Sequence, residues 1–150
     1  MGVHQIAIKQ LSKLDKDIDQ AIKKYGMPND RVTDGGFGTL LRMIVGQQIS
    51  VKAAESVWKK ITDIQANNPQ NILSMSEKKL REVGLSRQKI SYGKDLAFKV
   101  SSGLLDLDNL SNLSNQEAHS QLTQVKGIGD WTADIYQLFV LRDMDAFPQA

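Results

Sequence analysis

The chain has 150 residues, 41% hydrophobic and 24% charged, which is enough for one globular domain with a real core. It contains no cysteine, so disulfides, thiolate zinc sites, cysteine nucleophiles and iron–sulfur clusters are excluded as contributions from this chain. Net charge is only +2, no apolar run approaches the length of a membrane span, and the first residues lack the layout of a secretory signal; the expectation is a soluble, cytoplasmic protein without a membrane partner.

Apolar residues recur at helical spacing almost throughout and no segment alternates as a half-buried strand does, so the fold is expected to be all-α, a multi-helix bundle. Leu11, Leu14, Ile18, Ile22 and Tyr25 form one stripe, read as a single N-terminal helix that Gly26, Pro28 and Asn29 end. Asp34 is placed to cap a second helix with Phe37, Leu40, Leu41, Ile44 and Val45 on its core face. After a short turn at Gly46-Gln47-Gln48-Ile49, Ser50 caps a third helix with Val51, Ala54, Trp58 and Ile61 inward. Ser76 opens a short helix closed by Gly84, and Ser86 opens a longer one with Ile90, Ala97 and Val100 inward, closed by Gly103. Leu104 to Leu113 reads as irregular. Ser114-Asn115-Gln116-Glu117 is a capping box that starts a helix carrying Ala118, Leu122 and Val125. The last helix, Asp130 to about Arg142, is apolar nearly all round and is expected to be the buried centre.

Between these last two helices lies Val125-Lys126-Gly127-Ile128-Gly129-Asp130-Trp131. Glycines there permit positive φ and close approach of another chain, and the free N–H groups at a helix start, with Lys126 beside them, suit a phosphate bound without regard to sequence. A bare Gly-x-Gly would more simply be a tight connection between packed helices. Here the capped helix before it, the basic residue within it and the aromatic start of an apolar helix after it all agree.

The segment Leu122 to Ala133 resembles the helix-hairpin-helix of DNA glycosylases, and Gly-Ile-Gly-Asp-Trp-Thr-Ala is similar to the AlkA-type 3-methyladenine glycosylases. Two further blocks resemble the same family in the same order. Phe37 to Ala54, with Gly46-Gln47-Gln48-Ile49-Ser50, is similar to its helix pair and wedge loop, and Val83 to Ala97 to its middle helices. The resemblance implies a base-excision enzyme that acts on double-stranded DNA containing alkylated bases and hydrolyses the N-glycosidic bond of purines such as 3-methyladenine. It also implies an outer helical subdomain over residues 1–33 and a helical-barrel subdomain over 34–150, with the helix-hairpin-helix at about 114–142.

By the same resemblance the amides of Gly127 and Gly129, with Lys126, would hold a DNA phosphate. The carbonyls of Thr123, Val125 and Ile128 would hold a structural Na+ or K+, with no other cofactor required. Gln47 and Gln48 would form the wedge, although relatives often carry a bulky apolar residue there. Trp131 and Ile135 would line the base pocket; Trp131 has a second reading as a core residue. Trp131 stands where strand-cutting relatives carry a lysine nucleophile, so the implied enzyme is monofunctional. The family's catalytic carboxylate is expected four residues after Phe147, just after Ala150, so that no catalytic residue falls in this chain and the closing helices are missing; Asp143 and Asp145 precede the Phe147-Pro148 landmark and are not assigned that role. Without those helices the N-terminal stripe is expected to be partly exposed or covered by self-association. A non-enzymatic helix-hairpin-helix module and an inactive glycosylase fragment are the alternatives; an endonuclease III type lyase is disfavoured by Trp131 and by the absence of cysteine. His4 and His119 show no metal-ligand spacing.

Charge along the chain is uneven. Residues 61–100 carry seven bases, Lys78, Lys79, Arg81, Arg87, Lys89, Lys94 and Lys99, against Asp63, Glu77, Glu82 and Asp95, whereas 101–150 carry Lys126 and Arg142 against seven acids. Solvated helix faces explain either run taken alone, so charge by itself does not establish DNA binding.

Overall fold

The first helical stripe is divided where the sequence pattern ran through. In the computed structural model, which describes residues 3–28, 34–143 and 145–146, α1 spans Val3–Leu14 and α2 spans Lys16–Tyr25. Asp15 separates them: its Oδ1 accepts the N–H groups of Asp17 (2.9 Å) and Ile18 (3.4 Å), which makes it the N-cap of α2. Leu14 and Ile18 are four apart, so the stripe continues across the break and hides it from a periodicity reading. The two helices pack chiefly on each other. Leu11, Leu14 (86% exposed) and Tyr25 face outward, while Ile18 and Ile22 are half-buried.

The core is built on α3, Phe37–Val45, whose Phe37, Leu40, Leu41, Ile44 and Val45 are all buried. Its N-cap is Gly36, not Asp34; the Asp34 carbonyl instead accepts the Thr39 hydroxyl at 2.6 Å. The helix α4, Val51–Asp63, is capped by Ser50, whose hydroxyl accepts the Ala53 N–H. Ile61 is fully buried and Ala54, Val57 and Trp58 half-buried, but Val51 is 76% exposed: it is the first residue after the cap and precedes the turn that packs. Pro69–Ser74 forms α5, which the apolar pattern did not reveal. Asn68 caps it, accepting the N–H groups of Gln70 and Asn71, and proline occupies the first turn, where no amide is needed.

Helices α6 (Glu77–Glu82) and α7 (Arg87–Ser101) start at Ser76 and Ser86 as expected. The longer of the two lies against α3 and α5 at Gly93, where a Cβ would come within 3.0 Å of Leu41 and 3.3 Å of Ile72. A glycine there lets three helices share one contact, at the helix-propensity penalty glycine carries. Leu105 and Leu110 are buried anchors of the irregular segment, which includes a 3-10 turn at Leu110–Asn112. The capping box of Ser114 and Glu117 is complete and opens α8, Asn115–Thr123.

The final helix, α9, spans Asp130–Phe139, shorter than expected, and it is not the buried centre. Only the face of Thr132, Ala133, Tyr136 and Gln137 is buried; Ile135, Leu138, Phe139 and Val140 are half-buried. Three of the four buried residues are amphipathic or polar, and hydrogen bonding serves two of them: Gln137 Nε2 donates to the Asn115 carbonyl at 2.7 Å, and Gly36 N–H donates to the Tyr136 hydroxyl at 3.0 Å. Arg142 takes a left-handed φ of 63°, and the Asp143 N–H returns to the Gln137 carbonyl at 2.9 Å, which closes the helix. No described helix is long and apolar enough to cross a membrane. The subdomain boundary expected at residue 33 and the Phe147-Pro148 landmark lie outside the described residues.

Tyr136 joins α9 to the start of α3 through a single oxygen. Replacing it with phenylalanine leaves the half-buried Gly36 N–H without its acceptor and is expected to cost about 1–2 kcal/mol, read as a lower midpoint in denaturant unfolding followed by circular dichroism.

Candidate nucleic-acid interface

The turn between α8 and α9 is short and internally sparse in hydrogen bonds. Val125 N–H donates to the Leu122 carbonyl (3.3 Å) and Ile128 N–H to the Val125 carbonyl (3.1 Å). Most of its remaining definition comes from outside. Lys126 N–H donates to Asp95 Oδ2 on α7 at 2.9 Å, and the same oxygen accepts the Lys99 ammonium at 2.7 Å. The Tyr92 ring, one turn earlier on α7, lies against Gly127, which has φ +86°; a Cβ at Gly127 would overlap the ring. Gln88 Nε2 donates to the Tyr92 hydroxyl at 2.7 Å and so fixes the ring in turn. From the α3–α4 turn, Gln47 Nε2 donates to the Gly127 carbonyl at 2.8 Å.

These contacts decide which groups of the turn are left over. Lys126 and Ile128 amides are engaged, whereas those of Gly127 and Gly129 have no hydrogen-bond acceptor among the described residues. Gly129 is the N-cap of α9, with an ordinary φ of −88° and nothing within 4 Å of where a Cβ would stand. Neither its backbone conformation nor its neighbours require glycine. The Lys126 side chain is exposed beside it. Two unpaired amides at the positive end of a ten-residue helix form an arrangement able to receive an anion.

The carbonyls of Thr123 and Ile128 have no donor among the described residues, and that of Val125 accepts only the Ile128 N–H. Thr123 ends α8, Val125 follows it and Ile128 precedes the cap of α9; neutral carbonyl oxygens are a donor type compatible with a monovalent cation. Trp131, in the first turn of α9, is 55% exposed, so it is not a core residue; Ile135 is half-buried one turn later.

The other loop that the sequence singled out lies beside this one. The α3–α4 turn separates its two glutamines: Gln47 is half-buried and bonded to the hairpin, while Gln48 is exposed at φ +59°, flanked by the exposed apolar side chains of Ile49 and Val51. The Lys89 ammonium reaches from α7 to the Val45 carbonyl at the end of α3 (2.7 Å), and its burial lowers its pKa from the usual lysine range. One face of α7 therefore steadies both loops. None of Gln88, Lys89, Tyr92 and Asp95 was singled out for this from the sequence; the only local signal was the Asp95, Lys99 spacing of four.

Across the hairpin, His119 Nε2 lies 3.4 Å from Asp130 Oδ1 and 3.6 Å from Asp134 Oδ1, which brings α8 against α9; no group of three or more side chains that could hold a metal ion occurs among the described residues. Asp143 Oδ1 accepts the Asp145 N–H at 2.9 Å and so shapes the turn after α9.

Residues 41–148 match the model of the HhH-GPD superfamily of base excision DNA repair proteins. The chain is similar to DNA-3-methyladenine glycosylase 1 of Schizosaccharomyces pombe, 32% identical over 146 residues, covering 92% of this chain and 64% of the relative. Among solved structures it resembles a DNA-3-methyladenine glycosidase from Bacillus halodurans (TM-score 0.84, 29% identity, 93% of this chain and 66% of that one). It also resembles the S. pombe 3-methyladenine DNA glycosylase in complex with abasic DNA (TM-score 0.78, 32% identity, 95% and 73%). The chain thus spans about two thirds of the length of these proteins.

The two hairpin glycines are expected to respond oppositely to alanine. Gly127→Ala combines a left-handed φ with overlap of the Tyr92 ring and should cost at least about 2 kcal/mol, whereas Gly129→Ala should leave stability within about 0.5 kcal/mol; thermal melts of the two variants test this. Asp95 supplies a pH dependence. Burial raises its pKa, but the Lys99 and Lys126 hydrogen bonds and charges together outweigh burial, and the carboxyl lies below its ordinary 3.8. Because the folded pKa is the lower one, this contribution is full above the unfolded value and is lost as pH falls through the folded value. Asp95→Asn should therefore lower the melting temperature at pH 7 and flatten its decline below about pH 4, measured by melts from pH 7 to 2.

Proposed function

Because the chain belongs to the HhH-GPD superfamily of base excision DNA repair proteins, we propose that it serves a monofunctional DNA glycosylase that hydrolyses the N-glycosidic bond of alkylated purines such as 3-methyladenine. The observation that carries the reading is the pair of unengaged amides, Gly127 and Gly129, beside exposed Lys126 and Trp131 at one helix start. The phosphate next to the lesion sits on those amides, with Lys126 adding charge. The damaged nucleotide leaves the stack, since its glycosidic bond is inaccessible inside a duplex.

Trp131 presents an aromatic face to the flipped base, where the positive charge of an N-alkylated purine is attracted, with Ile135 behind it. Indole has no lone pair to form a Schiff base, so water attacks the sugar. Gln48 enters the gap left by the base. A Na+ or K+ held by the carbonyls of Thr123, Val125 and Ile128 would add positive charge to the hairpin. Positive charge developing on the sugar is stabilised by a carboxylate; Asp143 Oδ1 accepts the Asp145 N–H, which holds that carboxylate in the turn after α9.

The test is base release from methylated duplex DNA by the 150-residue chain, beside its binding to abasic and intact duplexes at low and moderate salt. Salt-sensitive preference for the abasic duplex with no base release, and no adduct on borohydride treatment, is the expected result. Release of 3-methyladenine would place the catalytic carboxylate within this chain. A borohydride-trapped adduct would overturn the monofunctional assignment, and equal binding to both duplexes would favour a backbone-binding module.

A further inference from the structure

Gln47 and Gln48 are neighbours in the loop read as a wedge, yet they face different tasks. Gln48 is exposed, at the one position of the α3–α4 turn with a left-handed φ. Gln47 is half-buried, and its Nε2 donates across a sequence separation of 80 residues to the carbonyl of Gly127. That carbonyl belongs to the residue whose own N–H stands unengaged for a phosphate. The residue before the turn is held too, through Lys89 on the Val45 carbonyl, and the residue after it caps α4. Gln47 is thus the direct polar link described between the turn that carries Gln48 and the hairpin.

We propose that Gln47 is a positioning residue and not part of the wedge: its amide fixes the α3–α4 turn to the hairpin, so that insertion of Gln48 and the grip on the phosphate happen as one event. This rests on the DNA glycosylase reading above. The physical basis is that α7 steadies each loop separately, through Lys89 on the Val45 carbonyl and Asp95 on the Lys126 N–H, whereas Gln47 bonds one loop directly to the other. A hydrogen bond to Gly127 itself transmits a displacement of one loop directly to the amide that holds the phosphate. Gln47→Ala deletes the link, and Gln47→Glu keeps the shape while setting an acceptor against an acceptor.

The experiment is fluorescence anisotropy with a duplex containing a tetrahydrofuran abasic analogue and with the intact duplex of the same sequence. Both Gln47 variants are expected to lose about five- to tenfold in affinity for the tetrahydrofuran duplex, with a much smaller loss on the intact one. The decisive readout is a double-mutant cycle between Gln48→Ala and Lys126→Ala, which removes the exposed charge beside the phosphate amides, on the tetrahydrofuran duplex. With Gln47 present the two losses should be non-additive; with Gln47→Glu they should multiply as independent effects. A merely structural Gln47 would lower the melting temperature and leave the cycle unchanged, which overturns the proposal. If the unsubstituted chain does not prefer the tetrahydrofuran duplex, the glycosylase reading fails and the proposal with it. If the preference is present and the cycle is the same in all Gln47 backgrounds, only the proposal fails.

Discussion

The hairpin has few bonds of its own, and its shape is imposed by one carboxylate on a neighbouring helix. Asp95 accepts the Lys126 N–H and is itself held by Lys99; this bond places the turn against α7, and the Tyr92 contact with Gly127 follows from that placement. Internally the turn has only two backbone bonds. The amides that remain open at the surface are those taken neither by α7 nor by the turn itself, and the Gly127 carbonyl is taken by Gln47. The same helix packs its apolar face on α3 and α5, with Gly93 allowing the closest approach. A rigid core helix with a polar face turned to two loops explains how short connections keep a defined geometry at a protein surface.

The fold was largely legible in the sequence because it is written in caps and stripes. Ser50, Ser76, Ser86 and the Ser114, Glu117 box begin helices where side-chain oxygens can reach free amides, and the α3 face is buried residue for residue. Where the reading went astray, a local signal had been outweighed. The break at Asp15 lay under a stripe that keeps its phase. The helix at Pro69 is too short to show a period, although Asn68-Pro69 marked its start. The expectation that α9 is the buried centre failed because the helix begins at a surface turn and its buried face is chosen by hydrogen-bonded Tyr136 and Gln137 as much as by apolar residues.

The candidate site was legible in its motif and not in its support. Glycines 127 and 129 stand out in the chain as a pair, yet they do different things. The first is demanded from inside by φ and by Tyr92; the second has no such demand. No pattern in the sequence links Gln47, Tyr92 or Asp95 to the hairpin, because those links run over 31 to 80 residues and depend on tertiary placement alone. Charge was a poor guide as well. The last 50 residues are acidic, and two of those acids, Asp130 and Asp134, face His119 between the two helices of the motif; a net count would have pointed away from the turn that has open amides.

The backbone of Gln48 is the feature whose effect reaches furthest. A left-handed φ of 59° is one that glycine adopts freely and that burdens a residue with a Cβ by about 1–2 kcal/mol. The folded chain carries this tension at all times, held like a bent spring between the Lys89 and Gln47 anchors on one side and the Ser50 cap on the other. Cutting one anchor removes a bond and also lets the spring relax, and the two changes oppose each other in the free energy of folding. Resistance to unfolding is therefore a blunt gauge of what these anchors accomplish: a contact can be nearly silent in a melt and still determine where the tip of the loop points.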